Sequence, residues 1–188
     1  MKKLIIALIA SAGVAGAVHA QTPAPYIGVG VVAADHNYKI SGATVSNEDG
    51  YKAGAKIFGG VDFDKTWGLE AGYTRFGSAD ANYSIANVPG SLSTKGNSLY
   101  LAGKATMPIN EQFSMFAKLG VARNKTEVSS TLASLRTDDS KTEGYGALGA
   151  QFQLTKEVAL TAEYERYGKK RDLGTKADAW TLAAKYSF

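Results

Sequence analysis

The amino-acid sequence predicts an all-β protein: an eight-stranded antiparallel up-and-down transmembrane β-barrel with short periplasmic turns and long extracellular loops. Three observations lead to this fold class. Eight segments of about ten residues carry apolar side chains at every second position, as strands do when one face meets lipid and the other a polar interior. The connectors between these segments alternate in length. Beyond the N-terminal leader no stretch of about 18 or more apolar residues occurs, so a transmembrane helix is not expected.

The N-terminal leader, residues 1–20, has the pattern of a secretory signal peptide. Two lysines precede an apolar run, and a site with small residues ends at Ala20. We expect cleavage between Ala20 and Gln21. Residues 21–188 would then form one outer-membrane β-barrel domain.

Composition limits the function classes. The mature sequence has 168 residues (188 minus 20) and a formal charge of +2, because the leader's two lysines are subtracted from the +4 of the whole chain. So small a charge does not suggest nucleic-acid binding. The chain contains no cysteine, which excludes disulfides and thiolate metal sites. We expect neither a metal nor a cofactor.

The predicted strands share a period of two. In the third, Trp67 and Tyr73 fall on the outward face and Glu70 on the inward face. Residues 158–166 are rich in helix formers, but their spacing favours a strand. The eight segments are 26–33, 51–63, 67–75, 98–107, 112–123, 144–154, 158–167 and 180–188.

Connector lengths place the two ends of the barrel. The short connectors are 64–66, 108–111 and 155–157, and the long, polar ones are roughly 34–50, 76–97, 124–143 and 168–178. Long loops at one end, with short turns and both termini at the other, are the plan of outer-membrane barrels. Residues 129–136 are expected to form a mobile loop, and a short helical turn remains the alternative there.

Outward-facing aromatic residues predict two belts at the membrane interfaces. We expect these side chains to contact outer-membrane lipid and lipopolysaccharide. The short-turn side carries Phe63, Trp67, Phe113, Phe152, Tyr186 and Phe188, and the long-loop side carries Tyr51, Tyr73, Tyr164 and Trp180.

The lumen of such a barrel is just wide enough for side chains to fill, so an open aqueous pore is not expected. Alternation places nine charged residues on the inward faces: Lys52, Lys56, Asp62, Glu70, Lys104, Lys118, Glu163, Glu165 and Lys185. Because isolated charges in a narrow lumen are costly, we hypothesise that Glu70 and Glu163 bind Lys104, Lys118 and Lys185 in one network. The alternative is that the charged groups are separately hydrated and form no network.

Several stretches resemble the transmembrane domain of the outer-membrane protein A (OmpA) family. The most specific is Lys-Ile-Phe-Gly-Gly-Val at 56–61, followed after a short turn by Gly-Leu-Glu-Ala-Gly-Tyr-Thr-Arg-Phe-Gly at 68–77. The resemblance implies a barrel plugged by buried salt bridges, with Glu70 and Lys104 at two of the interior positions. Thr161 stands where the family carries an interior arginine, and Gln151 where it carries the acidic partner.

The family's full-length members continue into a peptidoglycan-binding domain, whereas this chain ends at Phe188. Anchoring to the cell wall is therefore not expected. We expect the C-terminal strand, which ends in Phe188, to be recognised by the barrel-assembly machinery.

Candidate catalytic residues are few. The only histidine of the mature sequence is His36, beside Asp35 in the first long loop, without a second histidine or a nucleophile motif nearby. We interpret this pair as a solvated loop pair and expect no enzyme activity. The glycine-rich spots at 28–30 and 144–149 do not open a helix after a parallel strand, so nucleotide binding is not predicted.

Charged residues of the loops are interpreted as surface charge: Arg136, Asp138 and Asp139 in the third long loop, and the run Lys169, Lys170, Arg171 and Asp172 in the fourth. A further hypothesis is that the basic run contacts anionic lipid head groups.

The predicted function is that of a non-enzymatic integral outer-membrane protein with a plugged lumen, which contributes to envelope structure and presents surface loops to an extracellular ligand. A small ion or solute channel of porin type is one alternative. An adhesin or immune-evasion protein that acts through its loops is another.

Overall fold

The computed structural model describes residues 23–38, 44–45, 51–77, 79–85, 88–130, 137–168 and 173–188. The predicted signal peptide with its cleavage site at Ala20 and Gln21 lies outside these residues, as do Arg136 and the run 169–172. In the described part of the chain no helix is long and apolar enough to cross a membrane.

Ten β-strands occur among the described residues, and eight of them close into a barrel. Each barrel strand pairs antiparallel with its neighbours in the order β1-β3-β4-β6-β7-β8-β9-β10, and β1 pairs with β10 to close the ring. The predicted fold class is confirmed. The strands are β1 (Ala24–Tyr38), β2 (Thr44–Val45), β3 (Tyr51–Asp62), β4 (Trp67–Arg75), β5 (Ala79–Ile85), β6 (Val88–Pro108), β7 (Phe113–Ser130), β8 (Thr137–Gln153), β9 (Val158–Tyr167) and β10 (Leu173–Ser187).

Several strands extend beyond their predicted ends into stretches that the sequence predicted as loops. β6 begins at Val88, β7 continues to Ser130 and β8 begins at Thr137. β5 pairs with the first residues of β6, and β2 pairs with β5. Outside the membrane a strand has water on both faces, so it needs no apolar period of two. The prediction of long, polar loops over roughly 76–97 and 124–143 was therefore wrong in extent.

The two faces of the barrel wall differ as predicted. Residues of β4 alternate between exposed and buried along its whole length. On β1, Ile27, Val29 and Val31 are each more than half exposed, whereas Tyr26 and Val32 are buried inside. Apolar residues therefore cover the outer wall, which suits contact with lipid.

Side chains within the short turns explain why the chain reverses there. Asp64 Oδ1 accepts hydrogen bonds from the backbone N–H groups of Thr66 and Trp67, each over 2.7 Å. Asn110 Oδ1 accepts in the same way from Gln112 and Phe113, over 2.9 and 2.8 Å. These carboxylate and amide groups replace backbone partners in a tight turn. They hold the turn end of the barrel in a fixed register.

Candidate functional site in the barrel lumen

Charged side chains form a continuous chain across the middle of the lumen. Lys118 Nζ lies 2.7 Å from Glu70 Oε1 and 2.6 Å from Glu163 Oε2. Lys56 Nζ lies 2.9 Å from Glu163 Oε1 and 2.5 Å from Glu165 Oε1. The five side chains are at most 2% exposed. Carboxylates and ammonium groups alternate, and each lysine bridges two glutamates. This set (Glu70, Lys118, Glu163, Lys56 and Glu165) is the central chain.

Hydroxyl groups donate to both ends of the central chain. Tyr26 donates to Glu70 Oε2 over 2.9 Å, and Tyr100 donates to Glu70 Oε1 over 2.5 Å. The carboxylate lone pairs that the lysines leave unused thus have partners, as buried charges require. At the other end, Glu165 accepts from Tyr145, Tyr167 and Thr181 over 2.6, 3.0 and 2.5 Å.

Every strand of the barrel contributes to this network. The contributions are Tyr26 from β1, Lys56 from β3, Glu70 from β4, Tyr100 from β6, Lys118 from β7, Tyr145 from β8, Glu163 and Glu165 from β9, and Thr181 from β10. All of them lie on the inward phase of their strands. The network therefore links the barrel wall across its diameter as well as around its circumference.

An aromatic layer fills the lumen on the long-loop side of the central chain. The rings of Tyr100 and Tyr145 stack with their centroids 4.4 Å apart. The ring of Tyr167 lies 5.1 Å from that of Tyr145 and 5.3 Å from that of Phe76. Offset-stacked and edge-on rings pack at such distances. Apolar and phenolic groups therefore occupy the bore above the charges.

Toward the turns, two inward phenylalanine rings lie over glycine residues of neighbouring strands. A Cβ atom on Gly28 would lie 2.1 Å from Phe58 Cζ, and one on Gly149 would lie 2.5 Å from Phe116 Cζ. These glycines leave space for the rings, which is a packing role. The Lys118 ammonium group lies 4.9 Å from the Phe116 ring centroid, a cation–π distance.

A second charged group lies at the turn end of the lumen. Lys104 Nζ lies 2.6 Å from Asp62 Oδ1, and Lys185 Nζ lies 3.4 Å from Asp62 Oδ2. Both ammonium groups also face the ring of Tyr26, at 4.3 and 4.4 Å from its centroid. The Asp62 side chain is 25% exposed. These three charged residues are the turn-end cluster, and water reaches its carboxylate.

The predicted partners of two lysines were wrong. Lys104 and Lys185 were expected on Glu70 or Glu163, but they pair with Asp62. The register of β6 and β7 gives a reason: Lys104 stands directly opposite Lys118. Two like charges repel at that separation, and Lys104 turns toward the turn end while Lys118 stays in the middle of the lumen.

Sequence reasoning placed Lys56 and Glu165 on inward faces but gave them no part in the network. Alternation identifies the face of a strand, whereas the depth of a residue in the bore depends on strand tilt and stagger. Neither quantity is visible in one sequence. The role of the tyrosines as hydrogen-bond donors was missed, because an inward tyrosine is equally consistent with apolar packing in the lumen.

The structure also shows the surroundings of three other residues that the sequence analysis named. Thr161 is buried, and its hydroxyl has no hydrogen-bond partner within the described ranges. Gln151 Nε2 donates to Gln153 Oε1 over 3.1 Å. Lys52 is exposed at the long-loop end. Neither Thr161 nor Gln151 belongs to the central chain, which uses two other residues of β9 and none of β8.

The aromatic residues predicted to face lipid lie on the outer wall. Trp67, Trp180, Tyr186 and Phe188 are exposed, and Phe113 is half-buried. Trp180 packs on Tyr164 with their rings 5.1 Å apart, and Tyr186 packs on Phe188 at 5.2 Å. Their position at the membrane interfaces stays a prediction.

His36 lies in β1 and not in a loop, and the β1–β10 register shifts between Ala34 and His36. Asp138 and Asp139 lie in β8, also contrary to the loop prediction. Over the described part of the chain, no group of three His, Cys, Asp or Glu residues is placed to hold a metal ion.

Comparison with known proteins identifies the family. Residues 4–188 match the family described as outer membrane protein beta-barrel domain. The attachment invasion locus protein of Yersinia pseudotuberculosis is 30% identical over 150 residues, which cover 75% of this chain and 77% of that protein.

Solved barrels show the same fold at lower identity. The crystal structure of Ail, the attachment invasion locus protein of Yersinia pestis, aligns with a TM-score of 0.58 at 21% identity, over 89% of this chain and 100% of that one. Neisserial surface protein A aligns with a TM-score of 0.61 at 14% identity, over the same two shares. OprG of Pseudomonas aeruginosa aligns with a TM-score of 0.56 at 14% identity, over 90% and 97%. The chain thus belongs to the outer membrane protein β-barrel family and is an integral protein of the bacterial outer membrane.

Proposed function

We propose that this protein is a non-conducting barrel whose activity lies at its long-loop end. The observation that carries the proposal is the central chain together with its hydroxyl donors, a network to which all eight barrel strands contribute side chains. An ion that crossed the lumen would have to separate Lys118 from Glu70 and Glu163, or Lys56 from its two glutamates. Separating buried ion pairs leaves uncompensated charge in a medium of low dielectric constant, which is strongly unfavourable.

Planar-bilayer recording tests whether the lumen conducts. The refolded wild-type protein should give no discrete conductance steps, whereas Lys118→Ala combined with Glu163→Ala should give brief openings. Lys104→Ala is the matched control, because it removes an inward lysine from the turn-end cluster and leaves the central chain complete. Each variant is first checked as a closed barrel by its faster migration without heating on a denaturing gel. Steady conductance by the wild type would make the protein a small channel.

The same architecture supports attachment to an extracellular surface as the activity of the long-loop end. The supporting observation is the 30% identity to a protein named for attachment and invasion. In this chain the long connectors lie at the end opposite the short turns, where strands such as β6 and β7 extend past the apolar wall. We propose that the connectors that join these projecting strands contact the ligand.

Adhesion of a non-adherent laboratory bacterium that displays the protein tests this role. Cells with the wild-type chain should bind cultured human cells more than cells with an empty vector. Replacing residues 39–43 and 131–136 by Gly-Ser segments of equal length should abolish the gain without changing the gel mobility of the barrel. Equal adhesion by the loop-replaced chain and the wild type would contradict the proposal.

We further propose that the protein has no enzyme activity, that residues 1–20 are removed after Ala20, and that the barrel-assembly machinery recognises β10. The outward face of β10 and the residue after it carry Trp180, Tyr186 and Phe188. Mass spectrometry of protein extracted from outer membranes should give the mass of residues 21–188. A mass that includes the leader would contradict the processing site.

A further inference from the structure

A pocket of about 320 Å³ opens on the outer wall of the barrel near its long-loop end. It lies between β3, β4 and the neighbouring part of β6. Its floor includes the small residues Ala53, Ala55 and Gly77, and two cationic residues, Arg75 and Lys95, line it as well. A concave site that is lined by two cationic side chains favours a ligand of negative charge.

Close approach of the strands produces the pocket. A Cβ atom on Gly77 would lie 2.4 Å from the backbone oxygen of Ala53, so only glycine allows this contact. Ala53 and Ala55 present methyl groups where Ile57, on the same outward face of β3, presents a large side chain. The outer wall is therefore recessed beside Ala53 and Ala55, and larger side chains cover it farther into the membrane.

The two cations are placed to act on one ligand. Arg75 pairs with Asn97 in the β4–β6 register, and Lys95 is two residues from Asn97 on the same face of β6. Diagonal neighbours on one face of a sheet are about 7–8 Å apart at their backbones, within reach of two long side chains that converge on a single anion. Both residues are exposed.

Neither cation is neutralised by a carboxylate among the side chains that the structure describes. Other outward cations at this end do have partners: Arg166 Nη1 lies 3.5 Å from Asp178 Oδ1, and Arg123 Nε donates to Ser140 Oγ over 3.1 Å. Glu127 stands across from Lys95 in the β6–β7 register, on the opposite side of β6 from the pocket. The described lining of the pocket therefore carries two positive charges and no carboxylate.

The depth of the pocket matches the boundary of the outer leaflet. Toward the long loops, the last outward apolar residue is Tyr73 on β4 and Leu99 on β6. Arg75 and Asn97 occupy the next outward positions. Arg75 follows Trp67 by eight residues, roughly 27 Å along a strand, or about 20 Å along the membrane normal at a tilt of about 40°. An apolar band of about 25 Å ends at this level, where lipid head groups begin.

We propose that this pocket binds a phosphate group of a phosphorylated glycolipid in the outer leaflet, with Arg75 and Lys95 as its ligands. A guanidinium group donates two parallel hydrogen bonds to a phosphate, and an ammonium group adds a mobile point charge. The site fixes one lipid head group against the β3–β4–β6 face. It is independent of the lumen and of the ligand of the loops.

Titration of the refolded protein in micelles with bisphosphorylated lipid A, followed by native mass spectrometry, tests the site. Wild type should bind bisphosphorylated lipid A at least about tenfold more tightly than dephosphorylated lipid A, since the charge-assisted bonds form only with the phosphate. Arg75→Glu with Lys95→Glu should remove that preference. Ala55→Leu should weaken binding by about fivefold while it keeps both charges, because it fills the recess.

Arg123→Glu is the matched control, since it reverses an outward cation at the same end that has no recess beside it. It should change affinity less than about twofold. Equal losses in Arg123→Glu and in the Arg75/Lys95 variant would overturn the proposal in favour of diffuse attraction by the whole rim. Equal binding of the two lipids by wild type, or displacement of lipid A by equimolar inorganic phosphate, would also overturn it. All variants should keep the gel mobility of the closed barrel.

Discussion

The central chain and the turn-end cluster use the same chemistry in different surroundings. The central chain has three carboxylates and two ammonium groups, all at most 2% exposed, and each of its lysines bridges two partners. The turn-end cluster has two ammonium groups on one carboxylate, Asp62, which is 25% exposed. Their formal charges, −1 and +1, cancel between the two groups.

This difference indicates that the contribution of a luminal ion pair to stability depends on what can solvate one charge after its partner is removed. At the turn end, the Asp62 carboxylate is 25% exposed and has two lysine partners, so it can be solvated when one lysine is lost and that loss is small. In the middle of the bore the neighbours are tyrosine rings and other charged groups, so the same loss leaves a charge buried. The central chain should therefore determine barrel stability, and the turn-end cluster should adjust it only slightly.

Glu163→Gln should have the largest effect, because Glu163 binds both Lys56 and Lys118. We expect a loss of about 3–5 kcal/mol in the free energy of unfolding, the range for breaking a buried pair by removing one partner. Urea unfolding in lipid vesicles, followed by tryptophan fluorescence, measures it. Glu157→Gln in an exposed turn is the control, with an expected change of at most about 0.5 kcal/mol. Similar values for the two variants would remove the distinction between buried and exposed charges.

Double-mutant cycles test which residues are partners. Glu163→Gln and Lys118→Met should be coupled by about 1–3 kcal/mol, because the two side chains share one ion pair. Glu163→Gln and Lys185→Met should be additive within about 0.5 kcal/mol, since Lys185 binds Asp62. Strong coupling in the second cycle would place Lys185 on Glu163 and contradict the separation of the two groups.

Tyr145→Phe should have a smaller effect. The substitution removes one donor to Glu165 Oε1, which still accepts from Lys56 and Tyr167. We expect a loss of about 1.5–3 kcal/mol by the same unfolding assay, the range for one hydrogen bond to a charged group. Tyr73→Phe, on the outer wall, is the matched control and should change stability by less than about 0.5 kcal/mol.

Lys185→Met should have the smallest effect of the three single substitutions. Its ammonium group lies 3.4 Å from Asp62, which keeps Lys104 at 2.6 Å. We expect a loss of about 1 kcal/mol or less. A loss as large as that of Glu163→Gln would show that the turn end is as dry as the middle of the lumen.

The fold was predictable because its physics is local. Lipid on one side of a strand forces a period of two, and Trp67 to Arg75 shows that period without interruption. The short turns were predictable for the same reason, since Asp64 and Asn110 accept hydrogen bonds from residues two and three positions away. The polar extensions of β6 and β7 beyond the membrane were not predictable, because strands in water need no such pattern.

The site was predictable in composition but not in pairing. Alternation put Lys56, Lys104 and Lys118 on the inward faces. Which lysine meets which carboxylate depends on distances across the bore, set by tilt and stagger, and on repulsion between Lys104 and Lys118 in adjacent strands. The outer pocket at Arg75 and Lys95 was not predictable, because Lys95 lies in a part of β6 that the sequence predicted as a connector.

Exchange of the lysine ammonium protons with water, measured by NMR on protein labelled with 15N-lysine in micelles, tests the closed lumen most directly. The ammonium signals of Lys56 and Lys118 should persist at neutral pH, because each group is buried between two glutamates, and those of Lys104 and Lys185 should exchange faster. Equally rapid exchange at all four lysines would show that water reaches the central chain, and the lumen would then be hydrated and open.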